Sequence, residues 1–170
     1  MTSAPIPTPR ETLTVVVLTE EALGPDDAAR ISQLHEGSGA TYRVLVPADT
    51  ERNLLVDVLD HLSMFHLRAA LQDLRGNPDP QQARAQASQA LEESLAALRA
   101  AGSTAEGEVT ADDPLPALRK AVAGHTPSEV VVVTRPHAVE DTFHRDWASR
   151  ARDVLGVPVL HVYAGTTFLG

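Results

Sequence analysis

Four consecutive valines, Val130-Val131-Val132-Val133, and a second aliphatic run, Leu13-Thr14-Val15-Val16-Val17-Leu18, constrain this chain more than any other feature. A strand with one wet face alternates apolar and polar residues, whereas a strand covered on both faces reads as an unbroken apolar run. Two such runs require a sheet with a layer packed on each side. Parallel strands supply that arrangement, because each must be joined to the next by a crossover helix.

The segments between the runs provide those helices. After the first strand stops at Thr19-Glu20-Glu21, Gly24-Pro25-Asp26 starts a short helix with Ala28, Ile31 and Leu34 on one face and Gly37 and Gly39 as stop signals. Tyr42-Arg43-Val44-Leu45-Val46 is the second strand and ends at Pro47. Over residues 53–75 the positions Leu54, Leu55, Val58, Leu59, Leu62 and Phe65 repeat at helical spacing. Asn77-Pro78-Asp79-Pro80 breaks that pattern, with Asp79 as N-cap and Pro80 at the first position of a helix over 80–101 that buries Ala87, Leu91, Leu95 and Leu98. A polar strand over 104–110, with Ala105, Gly107 and Val109 on one side, suits a sheet edge. Asp113-Pro114 caps a helix bearing Leu115, Leu118 and Val122, closed by Gly124 and Pro127. The valine strand follows, then a helix with the stripe Phe143, Trp147, Ala151, Val154 and Leu155, stopped by Gly156, and last the strand Val157-Pro158-Val159-Leu160-His161-Val162-Tyr163. The expected fold is thus α/β, three layers built on a five-stranded parallel sheet with helices on both faces, plus one helix inserted after the second strand.

Composition narrows the function. At 170 residues, one domain over 12–170 is expected, preceded by a proline-rich lead over 1–11 that reads as disordered rather than as a signal peptide. A net charge of -9 argues against nucleic acid or an anionic membrane as partner. The chain has no cysteine, which removes disulfides and thiolate chemistry and fits a soluble, cytoplasmic protein.

In open parallel sheets ligands bind beyond the carboxyl ends of the strands, where strand order reverses. The strand ends here are Thr19-Glu20-Glu21, Pro47-Ala48-Asp49, Asp112-Asp113, Thr134-Arg135-Pro136-His137 and Tyr163-Ala164-Gly165. The order of elements, the four-valine strand, the segment Val109 to Pro114 and the closing Gly156-Val157-Pro158-Val159-Leu160-His161-Val162 together resemble the universal stress protein family over residues 12–163. The resemblance implies a homodimeric stress-response module in the adenine-nucleotide-binding superfamily. Members that bind ATP carry three glycines after the fourth strand, the last followed by serine or threonine. The corresponding positions here are Thr134, His137 and Trp147, then Ala148, and a shift of one residue places only Ser149 on the hydroxyl position. Those glycines let backbone N–H groups approach phosphate closely, and Pro136 has no N–H to offer. The family's acidic residue after the first strand corresponds to Thr19, with Glu20 and Glu21 adjacent. The expectation is a degenerate or absent ATP site, with ATP and AMP disfavoured and no resident cofactor.

The candidate ligand contacts are Thr19, Glu20, Val46, Arg135, His137, His144 and Ser149. Arg135, His137, His144 and Arg145 beside a helix N-terminus suit a small anionic ligand. The competing reading pairs Arg135 with Glu140 or Asp141 and leaves the histidines solvated. His137, Asp141 and His144 match no established metal-ligand spacing, and His61 and His66, five apart, point to different faces of a helix. Glu20 with Glu21 and Asp112 with Asp113 read as caps or loop residues rather than as an acid and base pair, and no serine nucleophile elbow is present. A binding module is therefore expected ahead of two alternatives, an enzyme or binder acting on a small phosphorylated or acidic molecule through Arg135 and the nearby histidines, and a structural interaction protein that binds no ligand. The helix over 53–75, with Met64, Phe65 and Leu67 beyond its main stripe, has three readings: a lid, a subunit interface, or a helix buried on the sheet.

Overall fold

A computed structural model describes residues 13–48, 79–111, 114–134 and 152–166. Five parallel strands form one sheet: β1 (Thr14–Thr19), β2 (Thr41–Pro47), β3 (Thr104–Thr110), β4 (Glu129–Thr134) and β5 (Val159–Tyr163). Their order is β3-β2-β1-β4-β5. The helices between them are α1 (Pro25–Leu34), α2 (Pro80–Ala100) and α3 (Pro114–His125), and residues 152–155 are helical as well. The expected lead over 1–11, the helix over 53–75, the cap at Asp113, and Phe143, Trp147 and Ala151 of the last stripe lie outside the described residues.

The aliphatic run of β1 is central because it is paired on both sides, with β2 in the register Val17↔Val44 and with β4 in the register Val17↔Val131. Side chains at alternate positions then enter two separate cores. Val15 and Val17 join Val44, Val46, Val131, Val133 and Val162 under α1 and α2. Val16 and Leu18 join Leu45, Val130 and Val132 under α3, with Leu155 and Val157 packed at the margin. Each buried valine or leucine contributes roughly 1.5–3 kcal/mol relative to exposure. The three-layer α/β fold expected from the sequence is the one observed.

Three helical stripes differ in detail from the expected ones. On α1 the buried positions are Asp27, Ala28 and Ile31, while Leu34 is exposed. The next inward position after Ile31 comes four residues on rather than three, and His35 takes it, packing edge-on against Tyr42. On α2 the centre of the stripe runs through Ala83, Ala87, Ser94 and Leu98, so Leu91 and Leu95 flank it half-buried. At the end of the last helix Leu155 packs on the core and Val154 is exposed.

The polar character of β3 follows from its place at the sheet edge. Glu106 and Glu108 converge on Arg43 of the neighbouring strand, at 2.7 and 3.3 Å. On the opposite face Gly107 meets α2 so closely that a Cβ there would collide with the Val44 carbonyl oxygen and lie 2.7 Å from Leu91 Cδ1. Glycine sets how near α2 and β2 can come to this edge.

The amino-terminal edge of the sheet is closed by polar groups. The Tyr42 hydroxyl donates to the Ile31 carbonyl at 3.1 Å, and His35 bridges from the Ile31 carbonyl to Glu129, 3.0 Å on either side. The Ser32 and Ser103 hydroxyls lie 2.8 Å apart beside them. Burial, and next the charge of Glu129, raise the Tyr42 phenol above its ordinary value, with Ser103 and Ser32 partly offsetting them.

Gly107→Ala is expected to destabilise the protein by about 1–3 kcal/mol or more, and Leu91→Ala added to it is expected to restore only part, because the clash with the Val44 carbonyl remains. Chemical denaturation of both variants measures this. Since the folded state holds the Tyr42 proton more tightly than the unfolded chain, stability is expected to fall as pH rises above the unfolded phenol's value of about 10. Tyr42→Phe should be less stable than the parent at pH 8, by about 1 kcal/mol for the lost hydrogen bond. Denaturation at both pH values should show that gap narrowing above pH 10.

Candidate functional site at the strand switch point

The sheet order places the reversal between β1 and β4. The chain leaving β1 turns onto one face through α1, while the residues leading into β5, Leu155 and Val157, pack on the other. At such a reversal of strand order a ligand crevice is expected beyond the carboxyl ends of the two strands, here β1 and β4.

Thr19 is the last residue of β1, its side chain on the α1 and α2 side of the sheet and 2% exposed. Its hydroxyl donates to the Glu21 carbonyl at 2.8 Å, which folds the chain over as it leaves the strand. Glu20 is 7% exposed and lies one step beyond the Thr19↔Val133 pair, level with Thr134. Val46 is fully buried in the core of the same face, paired with Val109. Thr19 and Glu20 are therefore brought to the switch point, and Val46 lies beneath the neighbouring strand end. Arg135, His137, His144 and Ser149 lie outside the described residues.

Two tethers hold the loop between β1 and α1. The Ser94 hydroxyl, buried at the centre of the α2 stripe, accepts from the Leu23 backbone N–H at 2.9 Å and donates to the Ala90 carbonyl at 2.7 Å. Asp27, in the first turn of α1, accepts from the Gly165 N–H at 3.0 and 3.2 Å through its two oxygens and pairs with Arg30 at 2.9 Å. On the other face, the Thr134 hydroxyl lies 2.8 Å from His161 Nε2, and the His161 ring meets Tyr163 edge-on at 4.4 Å. That pair fixes the end of β4 against β5.

Sequence reasoning placed Thr134 at this edge but missed Asp27, Ser94 and His161 as parts of it. Ser94 and Asp27 gave one signal, a polar residue standing where an apolar stripe should continue. His161 gave the same signal in an aliphatic strand. Glu20 and Glu21 follow β1 directly, and Asp26 and Asp27 open α1, where Asp27 pairs with Arg30. No group of three potential metal ligands occurs among the described residues.

Among solved structures, three similar ones are universal stress proteins. The one from Archaeoglobus fulgidus superposes with a TM-score of 0.54 at 10% identity, covering 88% of this chain and 93% of that one. A universal stress protein family protein from Arabidopsis thaliana, solved with AMP bound, gives 0.50 at 14% identity, covering 90% and 93%. A universal stress protein in complex with cAMP gives 0.54 at 15% identity, covering 91% and 100%. The chain thus has the universal stress protein fold. No family model matches its sequence, and no curated protein does. No helix among the described residues is long and apolar enough to cross a membrane.

Ser94→Ala is expected to cost about 1–3 kcal/mol, because it strands the Leu23 N–H in a buried position. Hydrogen exchange should show the Leu23 amide losing protection ahead of the strand amides. Equal protection in the variant and the parent would mean that the serine does not hold the loop.

Proposed function

We propose that this protein is a regulatory or binding module of the universal stress protein type, with its ligand seat at the β1/β4 switch point and without a glycine loop that grips a triphosphate. The fold supports the location, since the strand order reverses between β1 and β4. The strongest support for an altered site is the sequence leaving β4, where Thr134, Pro136 and His137 stand in place of bare backbone. A nucleoside or nucleoside monophosphate needs fewer phosphate contacts than ATP, so it suits a turn without glycines better than ATP does. AMP and cAMP are bound in two of the similar structures.

The same reading makes the module a cytoplasmic homodimer that acts in the response to stress. The two sheet edges support an asymmetric use. β3 carries Glu106 and Glu108, charges of the kind that blunt an edge, whereas β5, Val159-Leu160-His161-Val162-Tyr163, has no acidic residue, lysine or arginine.

A ligand that binds only the folded state raises the melting temperature. Purified protein heated with AMP, cAMP, ADP or ATP is expected to be stabilised most by AMP or cAMP and least by ATP. A large shift with ATP would overturn the altered-loop reading. A shift with inorganic phosphate alone, abolished in Arg135→Ala, would favour a binder or enzyme for small anions instead.

A further inference from the structure

At the amino edge of the sheet one imidazole faces an acceptor on each side. His35 Nδ1 lies 3.0 Å from the Ile31 carbonyl oxygen, and Nε2 lies 3.0 Å from Glu129 Oε1. A neutral imidazole has one N–H and one lone pair, so it serves only one of these acceptors, whereas the imidazolium has an N–H for each. The position suits a cation. α1 has no basic residue in its last turn, and His35 follows directly at its C-terminus, where the helix dipole is negative.

The Tyr42 hydroxyl offers the neutral ring an alternative. It lies 3.1 Å from the Ile31 carbonyl oxygen and also 3.1 Å from His35 Nδ1. With a proton on Nδ1, ring and hydroxyl both donate to Ile31. Without it, Nδ1 becomes an acceptor, the hydroxyl donates to the ring, and the Ile31 carbonyl loses both side chains. Nε2 keeps its proton and its bond to Glu129 in either state. One proton thus selects between two hydrogen-bond patterns while the heavy atoms stay in place.

The surroundings let that proton come and go. From β4 the ring faces Glu129, from β2 it faces Tyr42, and from the turn before β3 the Ser103 hydroxyl reaches the cluster through Ser32. Glu36 is the next residue along the chain. Tyr42 is buried, but the Glu129 side chain is 25% exposed and gives the ring a route to water.

We propose that His35, Tyr42 and the Ile31 carbonyl form a proton-operated cap on the end of α1, closed when the ring is an imidazolium and open when it is neutral. The cap releases the last turn of α1 as pH rises through the range in which imidazoles titrate. It lies at the opposite end of the strands from the switch point, so it is separate from the ligand seat.

Nuclear magnetic resonance of the full chain tests this, with His35→Gln identifying the His35 signals among those of the seven histidines. At about pH 5.5 both ring nitrogens are expected to carry protons, and at about pH 8.5 only Nε2. The Ile31 carbonyl carbon is expected to shift in the same step. Protection of the His35, Glu36 and Ser38 amides, whose bonds close this turn, is expected to fall by up to about tenfold, the loss of one hydrogen bond. Tyr42→Phe removes the donor that the neutral ring needs, so the His35 midpoint should move to higher pH. Glu129→Gln removes the charge facing the cation and should move it lower. Either midpoint unmoved, a neutral ring with its proton on Nδ1, or a single ring proton at pH 5.5 would overturn the cap. A ring that titrates as expected while the Ile31 carbon and the amides stay unchanged would overturn it as a switch. Should a variant fail to fold, the parent's ring protons and the Ile31 shift decide alone.

Discussion

Everything in this structure depends on β1 being hydrogen-bonded on both sides while its side chains fill cores above and below. Val15, Val16, Val17 and Leu18 are completely buried, two directed to each face, and the strands on either side are held in register by them. A strand in that position cannot carry a polar side chain without a buried partner. Polarity therefore accumulates at its ends, with Ser128 closing the amino edge through the Thr14 carbonyl and Thr19 turning the chain at the carboxyl edge. The location of the candidate site follows from this central strand, because the strand order reverses between it and β4.

The buried polar residues act as fasteners at the two rims of the sheet. At the amino edge, Tyr42, His35 and Glu129 tie the end of α1 to β2 and β4. At the carboxyl edge, Ser94 ties the loop before α1 to α2, Asp27 ties α1 to the residues beyond β5, and Thr134 meets His161. Each fastener joins elements distant in sequence, 71 residues apart for Leu23 and Ser94 and 138 for Gly165 and Asp27. Hydrogen bonds of this kind add modest net stability but make the alternative, an unpaired buried group, costly. They hold one arrangement of loops around the crevice where apolar packing alone would tolerate several.

The legibility of the chain varied with the physics of each element. Strands were plain because two-sided burial leaves an unbroken aliphatic run, and even polar β3 was readable as an edge from Glu106 and Glu108. Helix stripes were readable to within one position. Leu34 was expected to face inward, but the register of α1 gave that place to His35. Leu91 and Leu95 were expected on the α2 stripe, whose centre is instead Ser94. A spacing of three or four residues allows either choice until the partner surface is known. The site was the least legible part, since Asp27 and Ser94 look like ordinary surface residues of a helix until the segments they grip are brought to them.

The sequence by itself determined the fold class, the alternation of strands and helices, and a stretch without glycine between Gly124 and Gly156, because local burial and backbone freedom are written in residue type. Only the tertiary structure decided the strand order, hence the position of the crevice between β1 and β4, and the partners of the buried polar side chains. Those depend on contacts between residues far apart along the chain, and no local pattern encodes which distant N–H a carboxylate or hydroxyl will meet.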